Sequence, residues 1–218
     1  MNAPIEILTR TLGPIETNAY IVGDRASGQA ILIDPVDDAP QLVKAAADAG
    51  FEIALILATH AHFDHVLASA ALKELTGAPF VLHAEAAPML RDLPAQGQMF
   101  FGSPFPPAAE PDRLITSEDE IIELGAIRLH PLYTPGHAPG HLAFYMPAQK
   151  VVFSGDALFA GSIGRTDLPG GSTDLLIGSI VRKLLTLDDD VRVLPGHDEA
   201  TTIGIERREN PYLQCRSE

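Results

Sequence analysis

The apolar run Ala54-Leu55-Ile56-Leu57-Ala58 reads as a buried strand, and Thr59-His60-Ala61-His62-Phe63-Asp64-His65 follows it at once. His60, His62, Asp64 and His65 therefore crowd together where a strand gives way to a loop. Three imidazoles and a carboxylate around one small volume make a nitrogen and oxygen donor set. That mixture suits borderline cations such as zinc, iron and manganese. The chain is thus expected to fold around a metal centre.

Further donors recur in one local setting. His137 closes Thr134-Pro135-Gly136-His137 after an apolar stretch at 127–133. Asp156 closes Ser154-Gly155-Asp156 after 151–153, and His197 follows Leu194-Pro195-Gly196 after 191–194. Each comes after a small or rigid residue that lets the backbone turn. Strand-end loops at one sheet edge can gather donors from distant positions, because the strands fix their spacing. Lone histidines in such places are more often hydrogen-bonded structural residues. His83, His130 and His141 are read that way, with His83 and His130 also candidates to line a pocket and His141 to brace the loop 134–140.

Strands are expected at 5–10, 19–22, 30–33, 53–58, 80–82, 121–124, 127–133, 142–146, 151–154 and 191–194. Helices are expected at 37–49, which is alanine-rich and followed by Gly50, and at 66–75, 174–187 and 202–210. Between 86 and 119 the prolines 88, 94, 104, 106, 107 and 111 interrupt any long element, while Met99, Phe100, Phe101 and Phe105 add apolar mass. This stretch is expected to be a long ordered loop or lid, since a disordered linker would carry few aromatics. Its 99–105 segment would cover a substrate or form a subunit contact. Periodicity alone allows either a doubly wound sheet or two sheets sandwiched between helices.

With 218 residues, 46% hydrophobic, the chain can build one sizeable core. Its 29 acidic against 15 basic residues leave a net charge of −14. Such a surface repels phosphate backbones and anionic lipid, so no nucleic-acid or membrane partner is expected. The one cysteine, Cys215, allows no internal disulfide, which fits a reducing compartment. The opening Met1-Asn2-Ala3-Pro4-Ile5-Glu6 lacks the pattern of a secretory leader, so a cytoplasmic protein is expected.

Taken together, His60-x-His62-x-Asp64-His65 with His137, Asp156 and His197 in that order resembles the metallo-β-lactamase superfamily, from about residue 5 to 213. The resemblance implies an α/β fold, a four-layer αββα sandwich, as a single domain over 1–218. It implies two divalent ions, zinc or iron with manganese a further candidate. His60, His62 and His137 would hold the first, Asp64, His65 and His197 the second, with Asp156 bridging. Asp64 and Asp156 would be the catalytic carboxylates. Asp34 and Asp198 would either orient ligand imidazoles or cap turns.

Within that superfamily, the run from Gly155 to Asp167, the continuation Leu168-Pro169-Gly170-Gly171 and the ending 203–212 look like the compact glyoxalase II (hydroxyacylglutathione hydrolase) group. True β-lactamases usually carry another residue, often Cys, at the place of Asp156. The implied reaction is hydrolysis of a small-molecule S-acyl thioester, S-lactoylglutathione leading, by water that the ions activate. Arg165 would bind a glutathione carboxylate, or equally brace its loop. The larger glyoxalase II enzymes hold glutathione with a helical C-terminal domain, and the 21 residues after His197 are too few for one. Persulfide dioxygenases share Gly164-Arg165-Thr166-Asp167; there His60, His137 and Asp156 would hold a single iron. A non-catalytic metal-binding interaction module is the third reading, and the oligomeric state is left open.

Overall fold

The computed structural model describes residues 5–214 and builds two six-stranded sheets. The first takes the strands in chain order: β1 Ile5–Leu12, β2 Thr17–Asp24, β3 Gln29–Ile33, β4 Glu52–Leu57, β5 Phe80–His83 and β6 Arg113–Ile115. Its β1–β2 and β2–β3 pairs are antiparallel, and from β3 to β6 the pairing is parallel. The second sheet comprises β7 Ile122–Leu124, β8 Ile127–Tyr133, β9 Leu142–Met146, β10 Val151–Gly155, β13 Arg192–Pro195 and β14 Thr201–Thr202, ordered β14-β13-β10-β9-β8-β7. A two-stranded ribbon, β11 Leu158–Phe159 with β12 Ser162–Ile163, lies between β10 and β13 in sequence.

Alternation along the strands sorts the side chains into three apolar layers. On β2, Tyr20 and Val22 join one layer while Ala19 and Ile21 join another. On β10, Val151 and Phe153 pack inward while Val152 packs outward. The middle layer lies between the sheets. The outer ones bury α1 Ala39–Asp48 and α3 Ser69–Thr76 on the first sheet, and α6 Thr173–Ser179 and α7 Ile203–Glu209 on the second. Three layers of core separate four layers of structure, the αββα arrangement.

Helix boundaries follow their caps. The Asp38 side chain accepts from the Gln41 amide at 3.1 Å, with Pro40 in the first turn of α1, so this helix begins two residues after 37. Residues 63–66 wind into a separate short helix, α2 Phe63–Val66, and α3 starts only at Ser69. The helix expected at 174–187 runs as α6 only to Ser179 and continues through widened turns to Leu184.

The stretch 86–119 is a loop only in part, at 116–119 and at 102–112, where Pro104, Pro106, Pro107 and Pro111 lie. Elsewhere it folds into α4 Ala87–Arg91, α5 Leu93–Phe101 and the strand β6. Pro88 and Pro94 sit in the first turns of their helices, where a missing N–H costs nothing, so they start helices rather than break them. Gly102, left-handed at φ 73°, ends α5 and gives its N–H to the Gln98 carbonyl. Cys215 lies outside the described residues, as do residues 1–4. Among the described residues no helix is long and apolar enough to cross a membrane.

Candidate metal centre

Topology brings the donors to one edge. β8 is antiparallel to β9, β9 antiparallel to β10, and β10 parallel to β13. The carboxyl ends of β8, β10 and β13 therefore point the same way, carrying His137, Asp156 and His197. The carboxyl end of β4 meets them from the first sheet with residues 59–65. Two backbone bonds fasten the sheets there: Leu142 N–H to the Thr59 carbonyl at 2.8 Å, and Asn18 N–H to the Gly196 carbonyl at 2.7 Å.

All seven predicted donors converge. His60, His62 and His137 offer ligand atoms to one point; Asp64, His65 and His197 offer theirs to another. Within the first group His60 Nε2 lies 3.0 Å from His62 Nδ1 and 3.2 Å from His137 Nε2, and His62 Nδ1 is 2.8 Å from His137 Nε2. In the second, Asp64 Oδ2 lies 3.2 Å from His65 Nε2 and 3.3 Å from His197 Nε2. Asp156 stands between the groups, Oδ1 3.3 Å from His65 Nε2 and Oδ2 3.5 Å from both His137 Nε2 and His197 Nε2.

The surrounding bonds fix which nitrogen carries each proton. His137 Nδ1 faces the Arg165 carbonyl at 2.8 Å, which can only accept, so His137 Nε2 is a bare lone pair. Thr59 Oγ1 gives its hydrogen to Asp34 Oδ2 at 3.0 Å and so accepts from His60 Nδ1, also at 3.0 Å. His60 Nε2 is therefore bare as well. Two lone pairs 3.2 Å apart repel unless a cation sits between them. Nitrogens bound tetrahedrally at 2.0–2.1 Å stand about 3.3 Å apart, close to the spacing here. His65 donates from Nδ1 to Asp34 Oδ2 at 2.9 Å. His65 Nε2 and Asp156 Oδ1 are buried without a hydrogen-bond partner. The donor set thus fits metal ions on its own geometry.

Electrostatics points the same way. Burial, reinforced by neighbouring imidazoles, holds His60 well below the usual histidine range and brings His62 down to about 3. Burial lowers His137 too. These rings are neutral and free to ligate. Burial also works against a charge on His65, but Asp64, Asp156 and Asp34 outweigh it and raise this ring well above its ordinary value. His197 is likewise opposed by burial yet is raised to about 10 by bonds to Asp156 and Asp64. Burial would raise both carboxyls, but His65 and His197 hold Asp64 and Asp156 below the carboxylate range. The second group attracts positive charge, whether proton or metal.

Other expectations sort themselves in space. Asp34, left-handed at φ 59°, also accepts from the Thr59 amide at 2.7 Å, so it orients two loop residues as well as His65. Asp198 gives only a carbonyl to the site's frame, accepting from Asn18 Nδ2 at 3.1 Å. His141 braces its loop: Nδ1 lies 2.9 Å from Thr134 Oγ1, and Nε2 accepts from the Asp156 amide at 3.1 Å. His83 does not line the metal cavity. Its ring packs against Tyr133, with centroids 5.1 Å apart, and its Nδ1 accepts from the Glu85 amide. His130 sits half-buried on β8 opposite Tyr145, not on the cavity wall. Arg165 reaches the cavity rim, where Asp167 holds its guanidinium by two 2.8 Å bonds. Phe100 and Phe101 of the 99–105 segment also line this cavity, of about 260 Å³.

Four positioning residues carry no motif in the sequence. Thr17 Oγ1 donates to Asp64 Oδ2 at 2.9 Å. Tyr20 Oη and Asn18 Nδ2 donate to the Pro195 carbonyl at 2.6 and 3.1 Å, anchoring the strand end before His197. Gln96 of α5 gives its amide to the Ala61 carbonyl at 3.0 Å and accepts from the Phe63 amide at 2.8 Å, bracketing His62. Their only trace in the sequence is polarity inside apolar surroundings, as in Thr17-Asn18 ahead of Ala19–Val22.

Comparison with known proteins agrees with this geometry. The family model described as "Metallo-beta-lactamase superfamily" matches residues 12–197. The hydroxyacylglutathione hydrolase GloC of Haemophilus influenzae is 40% identical over 214 residues, covering 98% of this chain and 99% of that protein. The solved structure of BLEG-1 B3 metallo-β-lactamase superposes with a TM-score of 0.90 at 38% identity, over 96% of this chain and 100% of the other. TTHA1623 in a di-iron-bound form gives 0.85 at 40%, over 94% and 100%. ETHE1 from Myxococcus xanthus gives 0.79 at 29%, over 94% and 83%.

Proposed function

The chain belongs to the metallo-β-lactamase superfamily, and from that premise we propose that it is a glyoxalase II-like hydrolase of S-acyl thioesters, with S-lactoylglutathione as reference substrate. The observation that carries the reading is the pair of bare Nε2 lone pairs on His60 and His137, 3.2 Å apart, beside the unpartnered His65 Nε2 and Asp156 Oδ1. The hydrolase relative at 40% identity supports the choice of thioester.

His60, His62 and His137 would hold one ion, and Asp64, His65 and His197 the other. Two divalent ions, zinc or iron with manganese a further candidate, would supply Lewis-acid polarisation of the carbonyl and a water acidified to a pKa of about 7. Asp156, with Oδ2 3.5 Å from both His137 Nε2 and His197 Nε2, spans the two groups and keeps their separation fixed. Thr17, Asp34 and the Arg165 carbonyl hold Asp64, His65 and His137 in ligating orientation. Phe100 and Phe101 limit water over the cavity. No strong general acid is needed, because a thiol with pKa about 8.5 leaves readily as thiolate. The exposed Arg165–Asp167 pair is weak enough for a substrate carboxylate to recruit the guanidinium.

A second reading is a mononuclear-iron dioxygenase acting on persulfides. His60, His137 and Asp156 would make its two-histidine, one-carboxylate face, and the likeness to ETHE1 bears on it. The decisive experiment is elemental analysis of protein purified without added metal, paired with three assays. Two metals per chain, S-lactoylglutathione hydrolysis and no oxygen uptake are expected. One iron with oxygen uptake on glutathione persulfide replaces the proposal with the second reading. A β-lactam reporter is the control for the B3 β-lactamase likeness, and a preference for it over thioesters would also overturn the proposal. The His60→Ala variant should lose metal and turnover together.

A further inference from the structure

A second cavity of about 450 Å³ opens beside the metal cavity and shares His62, Phe100 and Leu168 with it. The two are arms of one site, meeting at these three residues. Their walls differ. Beyond its histidines, the metal arm carries one cationic side chain, Arg165, on its rim. The second arm runs between α4–α5 and the segment 168–170, and no arginine or lysine lines it. Met89, Ala95, Met99, Pro139 and Pro169 make it apolar. Of its polar side chains, Gln96 is occupied by the backbone of Ala61, Phe63 and Met89. Asp92 is acidic and disfavours an anionic group.

Met99, 67% exposed, is the most exposed large apolar side chain among the described residues, and Phe100 beside it is 41% exposed. A lactoyl group is short and carries a hydroxyl, so it leaves this arm empty. The arm with the guanidinium suits the polar thiol half of a thioester. We propose that the second arm binds the acyl half, and that the enzyme prefers thioesters of medium-length apolar acids to those of short acids such as lactate. This rests on the thioesterase reading above and specifies its substrate class.

The chemistry is unchanged by the chain. Water adds its oxygen to the carbonyl carbon and loses one proton, the carbon–sulfur bond breaks, the sulfur leaves with the bonding pair and takes up that proton, and the carboxylic acid product gives up the second proton to solvent. Only the binding contribution grows with acyl length. Each methylene taken from water is worth up to about fourfold in kcat/KM. Because the arm is open on one side, about twofold per methylene is expected.

The test uses N-acetylcysteamine thioesters of acetate, butanoate, hexanoate and octanoate with the metal-loaded enzyme. Between butanoate and octanoate, kcat/KM should rise at least tenfold. A matched series with a fixed acetyl group and lengthening thiols should show no such rise. In Met99→Asp, and in Ala95→Phe, which fills the arm from an exposed position, the octanoyl-to-butanoyl ratio should fall toward one. Calorimetry with the non-hydrolysable S-(2-oxodecyl) and S-(2-oxopropyl) thioethers of N-acetylcysteamine gives a readout independent of turnover, and the longer one should bind at least tenfold more tightly. Length-independent binding, or a preference that follows the thiol chain, overturns the inference. So does a concentration-dependent dimer that Met99→Asp dissolves, which would assign the arm to a second copy of the chain. If the long ketone binds tightly but no thioester is hydrolysed, the thioesterase reading fails while the apolar arm stands.

Discussion

Replacing Asp34 separates folding from metal binding. Its carboxylate receives the Thr59 amide at 2.7 Å, the Thr59 hydroxyl at 3.0 Å and His65 Nδ1 at 2.9 Å, all buried. In Asp34→Ala the hydroxyl can turn to another acceptor, but the Thr59 amide and His65 Nδ1–H are stranded. A buried donor without a partner costs about 1–3 kcal/mol, so the loss is about 2–6 kcal/mol from a total of about 5–15. Asp34→Asn behaves differently. Asparagine tolerates the left-handed φ of 59°, and its carbonyl oxygen can still take the Thr59 amide. Its NH₂ then faces His65 Nδ1, which must become an acceptor. Nδ1 must then be bare, and the proton that the ring keeps is held on Nε2, in the space shared with Asp64 and Asp156. The metal-free variant should unfold within about 1–2 kcal/mol of the parent, because the buried amide stays paired. Metal affinity should nevertheless fall about 10–100-fold, the usual cost of losing an outer partner to a ligating histidine. Thermal unfolding of metal-free protein measures the first quantity, and competition against a chromogenic chelator measures the second. Asp34→Asn binding its full metal complement at parental affinity would refute the tautomer reasoning.

Two further outcomes follow from the same geometry. A Cβ on Gly196 would lie 2.1 Å from Asp156 Oδ1 and 2.7 Å from His65 Cε1, so Gly196→Ala should push Asp156 out of place. Metal content should drop by at least one ion per chain with the circular dichroism spectrum retained, and an unchanged metal content would contradict this. The metal-free protein should be most stable near pH 6.5. Below that, His62, held near 3 when folded, takes up its proton more readily in the unfolded chain, so stability is lost as pH falls from 6.5 toward 3. Above it, His197, raised to about 10, keeps its proton more tightly when folded, so stability is lost as pH rises from 6.5 to 10. Saturating metal replaces that proton and should flatten the alkaline arm, as urea titrations at several pH values with and without a chelator would reveal.

Much of the site was legible because ligand chemistry is written in residue types. The run 59–65 and the turns before His137, Asp156 and His197 declare donors at strand ends, and the structure gathers all seven. Strand positions were also legible, since β8 at Ile127–Tyr133 and β9 at Leu142–Met146 alternate or bury their apolar residues as a pleat requires. Within 86–119, the part 87–101 is helical against expectation because proline carries opposite meanings at a helix start and a helix interior. Only the backbone reveals that Pro88 and Pro94 occupy first turns.

What the sequence determined by itself, then, is the donor set, the alternation that makes each sheet two-faced, and the acidic surface. Tertiary structure alone decided the rest. Asp34 became the partner of His65, the Arg165 carbonyl the support of His137, and Gln96 the brace of the His62 loop. Those residues lie 31, 28 and 35 positions from the groups they hold. A hydrogen bond acts over about 3 Å and requires alignment, so no local pattern can announce which distant group the packing of two sheets will bring within its reach.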